Sequence, residues 1–340
     1  MEKFIIAVLM ADGVARRTFI PEDVAEELST LGIIKWNETG KELSGETLAD
    51  FLEDADIAIT GWGCPKLDAA AVSKASHLKM MIHCAGSVAP YISEALYDAG
   101  VTVLSGNKMF AESVAEGTLA YMLAGLRKIP QISTRMQAGI WREESDYSEG
   151  LFGQTIGLVG LGAIPGYLVP MLKPFRMRII GYDPYASKEK GDAMGIELID
   201  DLGSLFEQCK IISLHLPKTK QTHHLISREL LAKIQDGALL INTSRGAVID
   251  EEALADELQS GRISAVLDVY QTEPLDPNSR LRGLPNAILM PHQAGPTNDW
   301  RPVITRTLIK DAKGFFAGQK PDHEISRAYG LSMTDDRLKL

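Results

Sequence analysis

The chain has 340 residues, 45% of them hydrophobic and 24% charged, and its 35 Lys and Arg against 45 Asp and Glu give a formal net charge of -10 at pH 7. That length exceeds one ordinary domain and predicts two, each large enough to bury its own core. The acidic balance and the lack of any Lys/Arg run exclude a dedicated nucleic-acid binder, which must neutralise phosphates with clustered cations.

The first apolar stretch, Phe4 to Ala11, is too short to span a bilayer and has no basic flank ahead of a cleavage site, so it predicts a first strand in a cytoplasmic protein with no membrane partner. Across residues 1–105 the β-rich runs FIIAVL, GIIKW, DIAIT, KMMIHC and VTVLS alternate with helical segments after Pro21-Glu22-Asp23, from Gly45, from Leu67 and near Ile92. Alternation of this kind predicts a parallel sheet with helices on its faces. A long amphipathic segment, Ala111 to Arg127, ends before Pro130, where helices usually stop.

From Thr155 the alternation restarts with TIGLVG, MRIIGYD, IISLHLP, ALLINTS, ISAVLDV and AILMPH, separated by helices such as Ser227 to Gln235 and Asp250 to Gln259, enough for a complete doubly wound sheet. Val303 to Phe316 reads as a helix that packs back on the first domain, and the polar stretch from Gln319 has no assignment. Cys64, Cys84 and Cys209 lack CxxC spacing and fit free buried thiols better than a disulfide frame or a metal site; the pair His223-His224 sits in a predicted loop and takes no metal role.

TIGLVG runs into Gly160-Leu161-Gly162-Ala163-Ile164-Pro165 and then a helix. The first two glycines allow a tight turn and a close backbone approach to a pyrophosphate at the helix N-terminus. Pro165 stands where GxGxxG has its third glycine, and its ring is expected to hinder close helix-on-strand packing while leaving the first helical turn intact. The next strand ends in Asp183, roughly 20 residues on, where an acid binds ribose hydroxyls and repels a 2′-phosphate, which favours NAD over NADP. Taken singly, the glycines also fit any tight α/β turn and Asp183 fits a turn before Pro184.

Three later segments each follow a strand: Asn242-Thr243-Ser244-Arg245-Gly246, Asp268 to Pro274, and Pro291-His292-Gln293-Ala294-Gly295. They place Arg245, Glu273 and His292 at the ends of neighbouring strands, the groups needed to hold an anionic substrate and move a proton beside a carbonyl. Alone, Arg245 reads as a surface ion pair, Glu273 as a turn residue and His292 as a loop histidine; together they point to chemistry.

From about Lys79 to His292 the chain resembles the D-isomer-specific 2-hydroxyacid dehydrogenases. The resemblance is carried by Ser113-Val114-Ala115-Glu116, Trp141, GLVGLGAI, GYDP, SLHLP with Thr222, INTSRGAVID, LDVYQTEP and PHQAG, in order. It implies a two-domain α/β fold: a Rossmann-type NAD-binding domain over residues 108–302 and a smaller, discontinuous, flavodoxin-like substrate domain over 1–107 plus 303–340. It also implies NADH-dependent interconversion of a small 2-oxo acid and its D-2-hydroxy acid, with Arg245 gripping the substrate carboxylate, His292 moving the proton and Glu273 raising the histidine pKa.

By the same resemblance the cofactor meets Gly160, Gly162, Ala163, Ile164, Asp183, Leu216, Pro217, Thr222, Thr243, Ser244, Asp268, His292 and Ala294, with His215 on the adenine side. Backbone groups of Gly86, Ser87 and Val88 take the substrate carboxylate, although Val88 and Pro90 depart from the family's glycine and acid; read from this chain alone, Trp62 fits either an apolar wall that suits an unphosphorylated side chain or a core or interface residue, and Met109 and Phe110 are expected to pack. Glycine at Gly61, where relatives acting on phosphoglycerate carry arginine, counts against a phosphorylated substrate, the first rival; the second is an NAD(H)-sensing corepressor-like protein. A homodimer built through the long helix and the Trp141 region is implied as well.

Overall fold

The structure is a computed structural model that describes residues 3–142, 147–335 and 337. The chain forms two units, one running from the N-terminus to Phe110 and resuming at Pro296, the other spanning Ala111–Gly295.

In the first unit β1 (Phe4–Val8), β2 (Gly32–Trp36), β3 (Ile57–Thr60), β4 (Met80–His83) and β5 (Thr102–Ser105) form a parallel sheet in the order β2-β1-β3-β4-β5. That is the flavodoxin-like order. Every residue of β3 and β4 is buried, as continuous apolar strands covered on both faces must be. The helix Arg301–Phe316 sends Ile304, Leu308, Ile309 and Ala312 into this core. It starts ahead of the expected Val303 because Pro302 occupies its first turn, where a missing N–H costs nothing. The unassigned tail also belongs here: Glu324 pairs with Leu104, and Arg327–Ser332 is helical.

In the second unit β6 (Thr155–Val159), β7 (Arg178–Tyr182), β8 (Glu197–Leu198), β9 (Ile211–Leu214), β10 (Leu239–Asn242), β11 (Ser264–Leu267) and β12 (Ala287–Leu289) form a parallel sheet in the order β12-β11-β10-β9-β6-β7-β8. Counted from β6 this is the doubly wound Rossmann order with one strand added, and its switch point lies between β6 and β9. β10, β11 and β12 lie side by side, so the turns that follow them share one sheet edge.

The helix Asn107–Leu126 is not amphipathic as expected: along Ala111–Leu126 only Glu112, Glu116 and Ala120 are exposed, a stripe one residue wide. The helix ends ahead of Pro130 as expected, and Pro130 itself lies in the first turn of a second helix, Ile129–Gln137. Among the described residues no helix is long and apolar enough to cross a membrane.

Candidate active site

The turn after β10 is organised by Asn242. Its buried Oδ1 accepts from the Ser244 N–H at 3.0 Å and from the Ser244 hydroxyl at 2.7 Å, while its Nδ2 donates to the Arg245 carbonyl at 3.0 Å. This side chain replaces ladder bonds the chain has left behind and fixes the direction in which Arg245 departs. The Arg245 Nη1 donates back to the Ser244 carbonyl at 2.7 Å. Gly246 then runs against backbone: a Cβ there would overlap the Tyr270 carbonyl and the Gln271 nitrogen. The turns after β10 and β11 are thus in main-chain contact, which brings the Arg245 charge to bear on Glu273 and His292.

Asp268, at the end of β11, is 1% exposed and carries the next turn. Its Oδ1 accepts from the Gln293 N–H at 2.8 Å and the Tyr121 hydroxyl at 3.0 Å, and its Oδ2 accepts from the Ala294 N–H at 2.9 Å. The His292 N–H donates to the Asp268 carbonyl at 2.9 Å. One buried carboxylate therefore pins the residues on the C-terminal side of His292. On the helix facing them, Gly117 leaves the room a side chain would take, since a Cβ there would lie 2.6 Å from the Ala294 oxygen. Thr118 meets Thr243 hydroxyl to hydroxyl at 2.9 Å. Asn242 was readable as an Asx-turn former before Ser244, whereas nothing local to the helix marks Tyr121 or Thr118.

The imidazole of His292 holds Glu273 Oε2 through Nδ1 at 2.8 Å, and Glu273 Oε1 accepts from the Tyr270 N–H at 3.1 Å. The hydrogen bond to Glu273 raises the histidine pKa; partial burial opposes it, the Glu273 charge adds to it, and Arg245 pulls it down, with a net shift upward. Burial pushes the Glu273 carboxyl up, but the His292 contact, the Tyr270 N–H and the Arg245 charge outweigh it and the net shift is downward. Each partner stabilises the other's charged form. With Nδ1 committed, Nε2 is the nitrogen that can exchange a proton with a ligand.

At the switch point Gly160 has φ +87, and a Cβ there would lie 2.7 Å from the His215 oxygen, so glycine is required twice over. A Cβ at Gly162 would meet nothing within 4 Å, which leaves the approach to the following helix open. That helix, Ala163–Leu172, has no side-chain cap, so the Ala163 and Ile164 N–H groups are available to an anion. Pro165 is buried in its first turn and the helix continues past it, and even through Pro170. Asp183 is fixed at both oxygens, accepting from the Leu161 N–H at 2.9 Å and the Tyr185 N–H at 2.9 Å. Leu216 is buried, and the Pro217 carbonyl accepts from the Thr222 hydroxyl at 2.6 Å, closing the turn that follows β9. Burial lowers the His215 pKa to about 3, so this ring is neutral. An open glycine turn, an uncapped helix start and a positioned acid at the next strand end are the donor and acceptor set a dinucleotide needs.

In the first unit Gly86 and Ser87 are half-buried, whereas Val88 is fully buried in the core. The Ser87 hydroxyl donates to the Thr334 carbonyl at 2.6 Å. Trp62 is 41% exposed and stands edge-on to Phe19 and Phe110.

A Rossmann sheet with this turn places the second unit in the class of dinucleotide-binding α/β domains. Residues 119–294 match the family model described as D-isomer specific 2-hydroxyacid dehydrogenase, NAD binding domain. Similar sequences include a D-3-phosphoglycerate dehydrogenase of Methanocaldococcus jannaschii, 34% identical over 90% of this chain and 57% of that one, and a hydroxypyruvate reductase of Thermotoga maritima, 33% identical over 80% and 88%. Among solved structures, a 2-hydroxyacid dehydrogenase from Ketogulonicigenium vulgare is similar with a TM-score of 0.79, 26% identity and coverage of 96% and 99%. The chain belongs to the D-isomer-specific 2-hydroxyacid dehydrogenase family. It spans about half the length of the phosphoglycerate dehydrogenases it matches.

Proposed function

We propose that the protein is an NAD-dependent oxidoreductase that interconverts a small 2-oxo acid and its D-2-hydroxy acid. The observation that carries this reading is the 2.8 Å contact of His292 with Glu273 beside the Arg245 charge. A bound nicotinamide supplies or receives the hydride. Arg245 holds the substrate carboxylate with its planar fork of donors. His292 gives its Nε2 proton to the carbonyl oxygen as the carbonyl carbon becomes the alcohol carbon, and ends neutral; in oxidation the neutral ring takes that proton back. The residues assigned to the cofactor are Gly160, Gly162, Ala163, Ile164, Asp183, Leu216, Pro217, Thr222, Thr243, Ser244, Asp268, His292 and Ala294. Selectivity among 2-oxo acids is assigned to Gly86, Ser87, Val88 and Trp62.

The test is NADH and NADPH absorbance with glyoxylate, hydroxypyruvate, pyruvate, phenylpyruvate and phosphohydroxypyruvate as substrates. Turnover of none of them would overturn the reading. Preference for NADH rests on Asp183, whose carboxylate repels a 2′-phosphate. Asp183→Asn keeps an acceptor for the Leu161 N–H and loses the charge, so the ratio of kcat/KM for NADH over NADPH is expected to fall. An unchanged ratio would remove Asp183 from cofactor choice.

Reduction needs protonated His292, so its rate falls as pH rises through the raised histidine pKa, while oxidation falls as pH drops through it. Glu273→Gln removes the first cause of that elevation. Its reduction profile is expected to lose activity at a lower pH than wild type, and coincident profiles would mean that Glu273 does not set the imidazole charge.

A homodimer is part of the same proposal, supported by the exposed Ile129, Met136, Ile140 and Trp141 on and after the helix Ile129–Gln137. A monomer mass by light scattering would refute it. A cytoplasmic location is supported by Cys64, Cys84 and Cys209, all buried free thiols.

A further inference from the structure

Arg301 lies in an aromatic corner of the first unit. Its guanidinium carbon is 4.9 Å from the Trp62 ring centroid and 5.6 Å from that of Phe19. Nε donates to the Pro296 carbonyl at 3.1 Å and Nη1 to the Thr18 hydroxyl at 3.1 Å. Both acceptors are neutral. Among the described residues no carboxylate pairs with this arginine and Nη2 donates to none, whereas Arg306, one turn further along the same helix, is held by Asp23 and Glu27. Burial pulls the Arg301 pKa down, yet an arginine stays charged throughout the working range. A cation partly stripped of water, braced on two sides and with no carboxylate partner among the described residues, is arranged to receive an anion.

The corner adjoins the loop assigned to substrate selectivity. Phe110 lies 5.9 Å, centroid to centroid, from Trp62, and its ring is the nearest group a Cβ on Gly86 would meet, at 3.3 Å. Gly86, Phe110, Trp62 and Arg301 thus form a continuous row of contacts. Trp62 is partly open to solvent, so a ligand can reach the row from outside.

We infer that Arg301, braced by Trp62 and Phe19, selects 2-oxo acids whose side chain carries a second anionic group, a carboxylate or a phosphate. Gly61 carries no cation, and Arg301 brings one to the neighbouring Trp62 from a distant part of the sequence. This inference rests on the proposed oxidoreductase function, and it names the substrate class that function acts on.

The test compares kcat/KM with NADH for hydroxypyruvate, 2-oxoglutarate and phosphohydroxypyruvate in wild type, Arg301→Gln and Arg301→Lys. A charge-assisted hydrogen bond predicts that wild type favours one of the two anionic side chains over hydroxypyruvate by about tenfold or more, and whichever wins identifies the group. Arg301→Gln is expected to bring that ratio close to parity through KM, and Arg301→Lys to keep part of it. Equal or better use of hydroxypyruvate by wild type overturns the inference, as does a ratio that survives in Arg301→Gln. Should Arg301→Gln fail to fold by circular dichroism, wild type and Arg301→Lys decide: a ratio in the lysine variant equal to that of wild type refutes a role for the planar fork. Turnover of no 2-oxo acid at all is a different failure, that of the oxidoreductase reading itself.

Discussion

Replacing His292 with alanine is expected to lower turnover of a 2-oxo acid by about 10²–10⁴-fold, the usual worth of a positioned general acid. NADH affinity should stay near that of wild type. The asymmetry follows from how the residue is held: its Nδ1 goes to Glu273 and its backbone N–H to the Asp268 carbonyl, while Asp268 grips the Gln293 and Ala294 N–H groups. Alanine removes the ring and keeps every main-chain bond. The open glycine turn at Gly160 and Gly162 lies elsewhere in the sheet and is untouched. Single-turnover kinetics and NADH fluorescence titration separate the two effects. Equal losses in both would make His292 a structural residue.

Gly246→Ala is expected to damage fold and activity together. Its added methyl would overlap the Tyr270 carbonyl and the Gln271 nitrogen, which are backbone and cannot rotate away. The turn after β10 must then retreat from the turn after β11. Overpacking of a tight core costs about 1–3 kcal/mol and occasionally more, so a lower denaturation midpoint is expected. The same retreat moves Arg245 away from Glu273, and misplacement of a binding group by even about 1 Å is enough for roughly 10²-fold in rate. Chemical denaturation together with kcat/KM checks both limbs. Wild-type values for either would show that the two turns separate without consequence.

The strands of both sheets were legible because buried parallel strands are unbroken β-branched and apolar runs, as in Ile57–Thr60 and Leu239–Asn242. β8 was not, since two residues, Glu197 and Leu198, make no pattern. The end of the long helix ahead of Pro130 was legible, but the starts at Ile129 and Arg301 were not, because Pro130 and Pro302 lie within first turns, where a proline leaves no local pattern of its own. Arg245, Glu273 and His292 stood out because each follows a strand in β10-β11-β12, and neighbouring strands deliver their ends to one edge. What brackets them was invisible for the opposite reason. Tyr121 reaches Asp268 from a helix remote in sequence, and no local periodicity encodes such a meeting.

One backbone angle has a practical consequence. His292 sits at φ +55, in the left-handed region where a side chain with a Cβ is held about 1–2 kcal/mol above its relaxed state and glycine is at ease. A glycine at this position would therefore relieve the loop while deleting the imidazole proposed to move the proton. Directed evolution for heat resistance alone would reward that change and harvest inert protein, so any stabilisation campaign on this scaffold has to select for turnover in the same round.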